Sequence, residues 1–580
     1  MNPFSFLSDI FKRTVSSLQN SREKRVVELR RSWGKEVSRE RNMDLIAMYH
    51  LLLAEHRETV DDQEWQDLAM DEVFARVDRT VGMPGRQILY HQMRTYVNDD
   101  GILAERARQY ATFRVEASLR ENIQLLLARI SGQRGAWIAP LLLKLLPEKP
   151  RHAWLLYLCS ALSIVCLVGL FFFRPLFIPA LALLTLNIVI NETYGRRITH
   201  YFPGYSQLDA MLCVCQKLSR IPNVDHLPQL DKMRELEPLV ARLRKRLGWL
   251  VVDRTQMPEL VSAFFGYLNL FFLFDVVVFL HSLTALRQHQ AELVELLEAF
   301  GSLDVAISVA SFLEDVPNST VPSLVAERRI DAIGMYHPLL TMPVGNPLQL
   351  DSTSALITGS NMAGKTTFIR TVGINVILAQ TLHICLAEKA ILPRAIVRSS
   401  IRREDRLSEG RSYYFSELER ILEFIRTEGN NRLHLFLIDE IFRGTNTVER
   451  IAASTAVLRH LGQKQMVLVT THDLELQELL GNEYDMYHFQ ERIVEGRCDF
   501  DYIIQAGPAR SRNAIRLLEL SGYPESITRE AMRMADQIAA NFDRRPDFGL
   551  PALEKDRPAN ASSAAARPPS APRPHRPTGA

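Results

Sequence analysis

A glycine-rich segment that also carries a lysine and two threonines stands near the middle of the chain. It consists of Gly359, Ser360, Asn361, Met362, Ala363, Gly364, Lys365, Thr366 and Thr367. The pattern fits G-x-x-x-x-G-K-[ST], with an apolar strand predicted at 355–358 before it and a helix predicted at 367–379 after it. Backbone N–H groups of such a loop surround phosphate oxygens, while Lys365 neutralises them and Thr366 can ligate Mg²⁺. The segment therefore predicts a site for a nucleoside triphosphate.

Two adjacent carboxylates, Asp439 and Glu440, end an apolar run at 435–438. After a phosphate-binding loop, the first carboxylate can hold Mg²⁺ through water, and the second can orient or deprotonate the attacking water. We expect Thr366 and Asp439 to bind the metal, and Lys365 and Glu440 to act as catalytic residues. ATP and Mg²⁺ are the expected substrate and cofactor.

Four linked segments extend these two motifs. They are residues 358–370, the D-x-L-x-x-G-x-S stretch at 405–412, residues 439–447 and the Thr-Thr-His stretch at 470–472. In order and spacing they resemble the ATPase domain of the MutS family. The resemblance covers roughly residues 335–538, and it is specific because four motifs agree at once.

The resemblance implies roles for three further residues. Ser412 would reach across a dimer to the γ-phosphate of the partner's nucleotide. His472 would sense the γ-phosphate, and His337 would contact the nucleotide. Pro343 and Val344 stand where the family commonly has an aromatic residue that stacks on adenine. The resemblance therefore implies a homodimer with composite ATP sites, which ATP closes and hydrolysis reopens.

By the same resemblance, DNA is the expected partner, in a mismatched, damaged or branched form. A net charge of +2 lacks the strongly basic balance typical of nucleic-acid binders, so a DNA-binding surface would have to be local. Residues 1–150 show neither the mixed α/β texture nor the G-x-F-x-E motif of a mismatch-recognition domain. The resemblance thus points to a variant of the family that lacks this domain.

Two apolar runs, 154–173 and 176–190, are separated by a short turn. The first has no charged residue and is long enough to cross a bilayer as a helix. Basic residues flank the pair on both sides, among them Arg151 and Arg196. This pattern predicts a transmembrane hairpin over 154–190 in the cytoplasmic membrane, with the ATPase domain in the cytoplasm. A hairpin buried inside a soluble helical domain is the alternative.

The texture of the sequence divides the chain into five regions. They are a helical N-terminal domain (1–150), the transmembrane hairpin (151–195), a helical core or lever-like domain (196–334), a MutS-like ATPase domain with C-terminal dimerising helices (335–542), and a Pro/Ala/Arg-rich tail (543–580). The predicted fold class is an α/β P-loop ATPase domain of the ABC/MutS type, preceded by largely α-helical domains and the hairpin. We expect the tail to be disordered.

A third apolar stretch, 260–280, contains Asn269 and Asp275. Because an ionisable side chain is costly in lipid, we expect this stretch in the helical core and not in the membrane. The six cysteines are scattered through a long chain, which is typical of reduced thiols.

An ATPase that energises a membrane transport complex is the second hypothesis, because it too couples composite ATP sites to membrane helices. In that class the signature motif lies close before the acidic strand, whereas here Ser412 follows Lys365 by 47 residues. Two spans are also few for a translocation path. A nucleotide-dependent scaffold with slow turnover is the third hypothesis.

Overall fold

The computed structural model forms two compact units, residues 1–511 and 512–580. It describes residues 23–543 apart from 54–57, 131, 145, 147, 196–197, 199–200, 223–226, 248–258, 402–412, 428–431, 495–496, 510–517 and 519–521. The second unit contributes one long helix, Glu525–Asp543. The predicted disordered tail lies outside the described residues, except for Asp543, which ends this helix.

The first unit begins with helices on both sides of the predicted hairpin. Before the hairpin stand α1 (Met43–Leu53), α2 (Asp62–Asp67), α3 (Met70–Val77), α4 (Met83–Arg94), α5 (Asp100–Val115), α6 (Ala117–Leu127) and α7 (Ile138–Leu143). The hairpin is α8 (Ala153–Gly169) and α9 (Phe177–Ile190). After it come α10 (Phe202–Leu218), α11 (Pro228–Glu235), α12 (Glu237–Leu247), α13 (Glu259–Phe272), α14 (Phe274–Gln288) and α15 (Gln290–Asp315). The helical character predicted for these regions is confirmed.

Helix α15 joins the helices that precede the hairpin to those that follow it, because it packs along α4 and α5. The approach is close: a Cβ added at Gly85 of α4 would overlap Asp304 of α15. Asp304 is fully buried and accepts hydrogen bonds from the backbone N–H groups of Val81 and Gly82. The helices on both sides of the hairpin thus share one hydrophobic core. The domain boundaries drawn from the sequence stay predictions.

The hairpin helices carry many large apolar side chains on their outer faces, including Val165, Phe172 and Ile178, which are more than half exposed. Within the part of the chain that the structure describes, two helical segments are long and apolar enough to cross a membrane, Arg174–Gly195 and Gln290–Asp315, and a third is if the bent pair α13 and α14 is one span. The second of these is α15, which is largely buried inside the protein. No membrane is part of the structure.

The remaining part of the first unit contains two β-sheets and the helices that connect their strands. Their strands are β1 (Ser323–Val325), β2 (Arg329–Met335), β3 (Asn346–Asp351), β4 (Ser354–Thr358), β5 (Lys389–Pro393), β6 (Ile396–Ser400), β7 (His434–Asp439), β8 (Met466–Thr470), β9 (Tyr484–Val494) and β10 (Arg497–Ala506). The order is β1-β5-β2-β3 in one sheet and β10-β9-β4-β8-β7-β6 in the other. The helices between them are α16 (Lys365–Thr381), α17 (Tyr413–Arg426), α18 (Thr447–Lys464) and α19 (Glu475–Leu480); we label the helix of the second unit α20.

Strands β4, β8 and β7 lie side by side and parallel in the middle of the larger sheet. Every residue of β4 and β8 is buried, which explains why both read as continuous apolar runs rather than alternating ones. The strands predicted at 355–358, 435–438 and 466–470 are confirmed. Since the carboxyl ends of parallel strands meet at one edge, the residues that follow β4, β7 and β8 come together there.

The apolar stretch 260–280, which was expected to lie in the helical core, forms two helices with different surroundings. Leu273 adopts a left-handed conformation (φ 51°) and divides the stretch into α13 and α14. Helix α14 enters the helical core as expected, with Phe279 and Leu283 buried. Helix α13 instead packs against the two hairpin helices. The prediction that the whole stretch is core is therefore wrong for α13, because the break at Leu273 redirects the chain.

Candidate functional site

The glycine-rich loop connects β4 to the N-terminus of α16. Gly359 and Gly364 have φ angles of 132° and 98°, a region that glycine adopts without strain. A Cβ added at Gly359 would lie 2.8 Å from the carbonyl oxygen of Phe489, so the position has no room for a side chain. Helix α16 begins at Lys365, directly after Gly364. The loop therefore brings backbone N–H groups and the positive end of a helix dipole to one point, which favours an anion.

The side chain of Lys365 turns back over this loop. It is fully buried, and its Nζ donates a hydrogen bond to the carbonyl oxygen of Gly359. The same Nζ lies 3.2 Å from Nε2 of His472, a residue that follows β8. A buried ammonium group at the mouth of an anion-binding loop supplies the charge that phosphate oxygens require.

Thr366 and Asp439 meet beside the lysine. The Thr366 hydroxyl donates to Oδ2 of Asp439 at 2.9 Å, and the Thr470 hydroxyl donates to Oδ1 at 2.5 Å. Asp439 ends β7, Thr470 ends β8, and Thr366 opens α16, so three elements fix the carboxylate. The hydroxyl and carboxylate oxygens at this position are hard donors, the type that Mg²⁺ prefers.

Glu440 follows Asp439 with its backbone in an unusual conformation. Its φ is 59°, and that of Phe442 is 56°, both in the left-handed region that disfavours side chains. The backbone N–H of Glu440 donates to the carbonyl oxygen of Thr470, and that of Phe442 donates to Oε1 of Glu417 on α17. Strained residues held by such bonds cluster at functional sites.

The carboxylate of Glu440 lies against an imidazole and a guanidinium group. Oε1 lies 3.0 Å from His472 Nε2, and Oε2 lies 2.7 Å from Arg443 Nη1. Burial alone would raise the pKa of Glu440, but the hydrogen bond and charge of His472, with the charges of Arg443 and Lys365, lower it to about 2. Glu440 is therefore ionised at neutral pH, the form in which a carboxylate can both orient a water molecule and accept its proton.

Carboxylates from the helical region reach into the α/β domain beside this site. Glu64 and Asp67 of α2 are both buried. Asp67 accepts from the Ser399 hydroxyl at 2.8 Å and from the Ile401 N–H at 3.3 Å, at the end of β6. Glu64 pairs with Arg420 of α17. Strand β6 precedes residues 402–412 and helix α17 follows them. Helix α2 therefore contacts the elements on both sides of that segment.

Tyr502 is a residue near the loop that sequence reasoning missed. It lies on β10 with a φ of 54°, and its side chain is 47% exposed. Its Cδ1 would be 3.4 Å from a Cβ placed on Gly364, so the ring lies beside the loop. Phe500 stacks on it with ring centroids 6.1 Å apart. A half-exposed aromatic ring at this place can stack on a nucleobase, and no sequence spacing linked it to the loop.

The predicted site residues thus fall into three groups. The loop residues, Thr366, Asp439, Glu440 and His472 are brought together with Lys365 at one edge of the sheet. His337 is buried after β2, and its ring nitrogen accepts from the Leu339 N–H, not from the loop. Burial and the charge of Arg370 lower the pKa of His337 to about 4. Ser412, predicted to reach the γ-phosphate of the partner's nucleotide, lies outside the described residues.

Fold and site together define an α/β domain that carries an anion-binding loop at the carboxyl edge of its sheet and is joined to a helical region. A family model described as MutS domain V matches residues 355–539. A DNA mismatch repair protein MutS of Lactobacillus delbrueckii subsp. bulgaricus is 30% identical over 273 residues, 45% of this chain and 32% of that protein. One of Thermus thermophilus is 31% identical over 209 residues, 35% of this chain and 26% of that protein.

Residues 355–539 of the chain are thus similar to domain V of MutS proteins. The matched region spans about a third or less of the length of these curated relatives. The recognition of the family from four sequence motifs is therefore confirmed, within the part of the chain that the matches cover.

Proposed function

We propose that the chain is a membrane-tethered MutS-related ATPase that works as a homodimer and acts on DNA. The observation that carries the ATPase proposal is the meeting of Lys365, Thr366, Asp439, Glu440 and His472 around the glycine-rich loop. The residues fit Mg²⁺ and ATP, because hard oxygen donors stand beside a loop that favours anions. Bound Mg²⁺ would neutralise charge that develops on the phosphate oxygens.

Each residue then has a separate task. Lys365 binds the phosphate oxygens, and Thr366 with Asp439 would hold the metal. Glu440, ionised and fixed by Arg443, accepts a hydrogen bond from the attacking water and orients it. His472 stands between Lys365 and Glu440, and its Nε2 can donate to the carboxylate or accept from the ammonium, but not both at once. A bound phosphate that draws the Lys365 ammonium away from His472 would leave His472 Nε2 to donate to the Glu440 carboxylate. Binding of nucleotide in the loop would in this way set the orientation of Glu440.

The test of this proposal is nucleotide binding and hydrolysis by the detergent-solubilised protein. Lys365→Ala should abolish ATP binding, whereas Lys389→Ala, an exposed lysine on β5, should leave binding and turnover unchanged. Equal ATP affinity for Lys365→Ala and the parent protein would contradict the assignment.

The dimer proposal rests on the family resemblance, in which the loop that contains Ser412 serves the partner's nucleotide. A Lys365→Ala subunit mixed with a Ser412→Ala subunit should regain activity, since one composite site collects both lesions and the other is intact. No gain in verified mixed dimers would sink the shared-site proposal.

Membrane tethering is supported by the exposed apolar faces of α8 and α9. An apolar surface of this kind is rare on a protein that faces water on all sides, and the basic flanks support a cytoplasmic position for both ends of the hairpin. The proposed location is the cytoplasmic membrane, with the ATPase domain on the cytoplasmic side. The full chain should stay in the membrane fraction at high salt; release into solution without detergent would refute the proposal.

DNA as the partner is supported by the two relatives, which are DNA mismatch repair proteins. Binding of the solubilised protein to duplex, mismatched, branched and single-stranded DNA, with and without ATP, tests it. Binding to one of these forms that changes with ATP is expected, and no binding to any of them at low salt would contradict it.

A further inference from the structure

A break in the helical chain lies against the hairpin. Helices α13 and α14 meet at Leu273 with a bend of 78°. At such a break the last carbonyl groups of α13 and the first N–H groups of α14 lose their helical partners. In lipid these groups must find other partners within the protein.

Side chains of the hairpin supply partners for the end of α13. The Ser160 hydroxyl on α8 donates to the carbonyl oxygen of Phe272 at 2.7 Å. The Asn187 amide on α9 donates to the carbonyl oxygen of Phe271 at 2.7 Å and contacts the Ser163 hydroxyl at 2.9 Å. Asn187 is fully buried in a helix that is otherwise apolar. Polar residues are costly at such positions, and the Asn187 Nδ2 and the Ser160 hydroxyl offset this cost by their bonds to the broken backbone.

Asn269 of α13 completes the arrangement. Its Nδ2 donates to Oδ1 of Asn191 at the end of the hairpin, at 2.9 Å. Its Oδ1 accepts from the backbone N–H of Asp275 at 3.1 Å, which satisfies one of the first donors of α14. The two sides of the break are therefore bonded to the hairpin or to each other.

The outer face of α13 continues the apolar surface of the hairpin. Phe264 is 58% exposed and Tyr267 is 63% exposed, while other residues of the helix pack on α8 and α9. Whatever surrounds the exposed apolar side chains of the hairpin, which is lipid under the proposed tethering, must therefore surround these two rings as well.

The elements on both sides of α13 lie in the same helical core. On the side of α12, Arg244 donates to Gln216 of α10 at 2.7 Å. On the side of α14, Phe279 packs on Tyr205 of α10 with ring centroids 5.4 Å apart. Arg287 at the end of α14 donates to the carbonyl oxygen of Leu146, just before the hairpin. The chain therefore leaves this core and returns to it.

We infer that α13 is a third membrane-embedded segment, which contacts lipid acyl chains and enters and leaves the bilayer on the face that bears the ATPase domain. The inference rests on the proposed membrane tethering and adds to it a helix that the hairpin holds through Ser160 and Asn187. At about 1.5 Å per residue the 14-residue helix is about 21 Å long, too short by itself to cross a hydrocarbon core of about 30 Å, whereas the helical segment Arg174–Gly195 that contains α9 has 22 residues.

Nitroxide labels at single cysteines test the inference in liposomes. Cys159, Cys166, Cys213 and Cys498 are replaced by alanine, and the buried Cys215 and Cys385 are kept. Labels are placed in α13 by Phe264→Cys and Tyr267→Cys. Val165→Cys on the outer face of α8 is the lipid control, and Val115→Cys, at the exposed end of α5, is the aqueous control. Collision rates with oxygen and with a water-soluble nickel chelate report each environment.

We expect the oxygen-to-nickel ratio at positions 264 and 267 to match that at 165 and to exceed that at 115 several-fold. If 264 and 267 match 115 while 165 reports lipid, the inference fails and the tethering stands. If 165 also reports water, the tethering fails and the inference falls with it.

Sidedness is tested by Thr284→Cys, an exposed position on α14. In inside-out vesicles it should react with a membrane-impermeant maleimide. Reaction only from the opposite side would show that the chain crosses the bilayer and would overturn the inference. Asn187→Leu removes the bond to Phe271 and should shift the label at 267 towards water, whereas Thr185→Leu, an exposed position on α9, should not.

Discussion

The pair formed by Glu64 and Arg420 should control both the stability of the first unit and its turnover. Glu64 is fully buried on α2, and Arg420 lies on α17, directly after residues 402–412. Burial raises the pKa of Glu64, and the Arg420 guanidinium opposes that rise. The substitution Glu64→Gln keeps the shape of the side chain and removes its charge, which leaves the buried Arg420 with the partly exposed Glu423 but without the buried carboxylate of the pair.

Breaking a buried ion pair by removing one partner costs about 3–5 kcal/mol. Glutamine can still accept the Ser399 N–H that Glu64 accepts at 3.3 Å, so we expect the lower end, about 3 kcal/mol. For residues 1–511, which unfold with an entropy of about 2.1 cal/mol/K per residue, that corresponds to a drop in the thermal midpoint of about 3 °C. Because α2 also holds the end of β6 through Asp67, the loss should displace both ends of 402–412 and lower ATP turnover more than ATP binding.

The assay is thermal unfolding together with ATP affinity and turnover in detergent. Glu483→Gln is the matched control, since it also removes a carboxylate from an arginine pair, but one whose side chains are more than a third exposed. Exposed pairs contribute about 0–1 kcal/mol, so the control should change little. In a double-mutant cycle, Arg420→Met should restore part of the stability lost in Glu64→Gln. A Glu64→Gln protein as stable and as active as Glu483→Gln would refute the reasoning.

Three further predictions concern the site itself. Gly359→Ala should weaken ATP binding at least about tenfold, because it adds backbone strain of about 1–3 kcal/mol and a contact with the Phe489 carbonyl; a filter-binding measurement checks it. Tyr502→Ala should weaken ATP binding about tenfold in a titration with a fluorescent ATP analogue, and Tyr502→Phe should not, because stacking on the base is worth about 1–3 kcal/mol and needs only the ring. The pKa of Glu440 is lowered to about 2 in the folded protein, from about 4.3 in the unfolded chain. The ionised carboxylate therefore stabilises the fold at pH values above about 4.3, and this contribution is lost as the pH falls towards 2. The difference in thermal midpoint between the parent protein and Glu440→Gln should therefore shrink between pH 5 and pH 3, and a difference constant with pH would contradict it.

Much of the α/β domain could be predicted because its signals are local. The strand 466–470 is an apolar run whose observed bounds agree with the prediction, and the glycine pattern at 359–364 marks a turn that only a few residue types permit. The meeting of Asp439 with Thr366 could also be foreseen, since parallel strands end at one edge.

Other features depend on contacts between distant residues, which a pattern in one stretch does not record. Glu64 and Arg420 are 356 positions apart, and nothing near either residue indicates the other. The break at Leu273 is bonded to Asn187 and Ser160 of the hairpin, which are distant in sequence, so the polar residues within 260–280 favoured a core element and did not indicate the break. Tyr502 reaches the loop because β10 folds back beside it, which the sequence does not indicate.

The central claim, that this site hydrolyses ATP, is tested most directly by single turnover in the Glu440→Ala protein. Radiolabelled ATP is bound with Mg²⁺, and the bound nucleotide is then identified over time. The account predicts that Glu440→Ala binds ATP as the parent protein does but retains it unhydrolysed, while Glu478→Ala, an exposed glutamate on α19, hydrolyses it normally. Hydrolysis by Glu440→Ala at the rate of the parent protein would contradict the account.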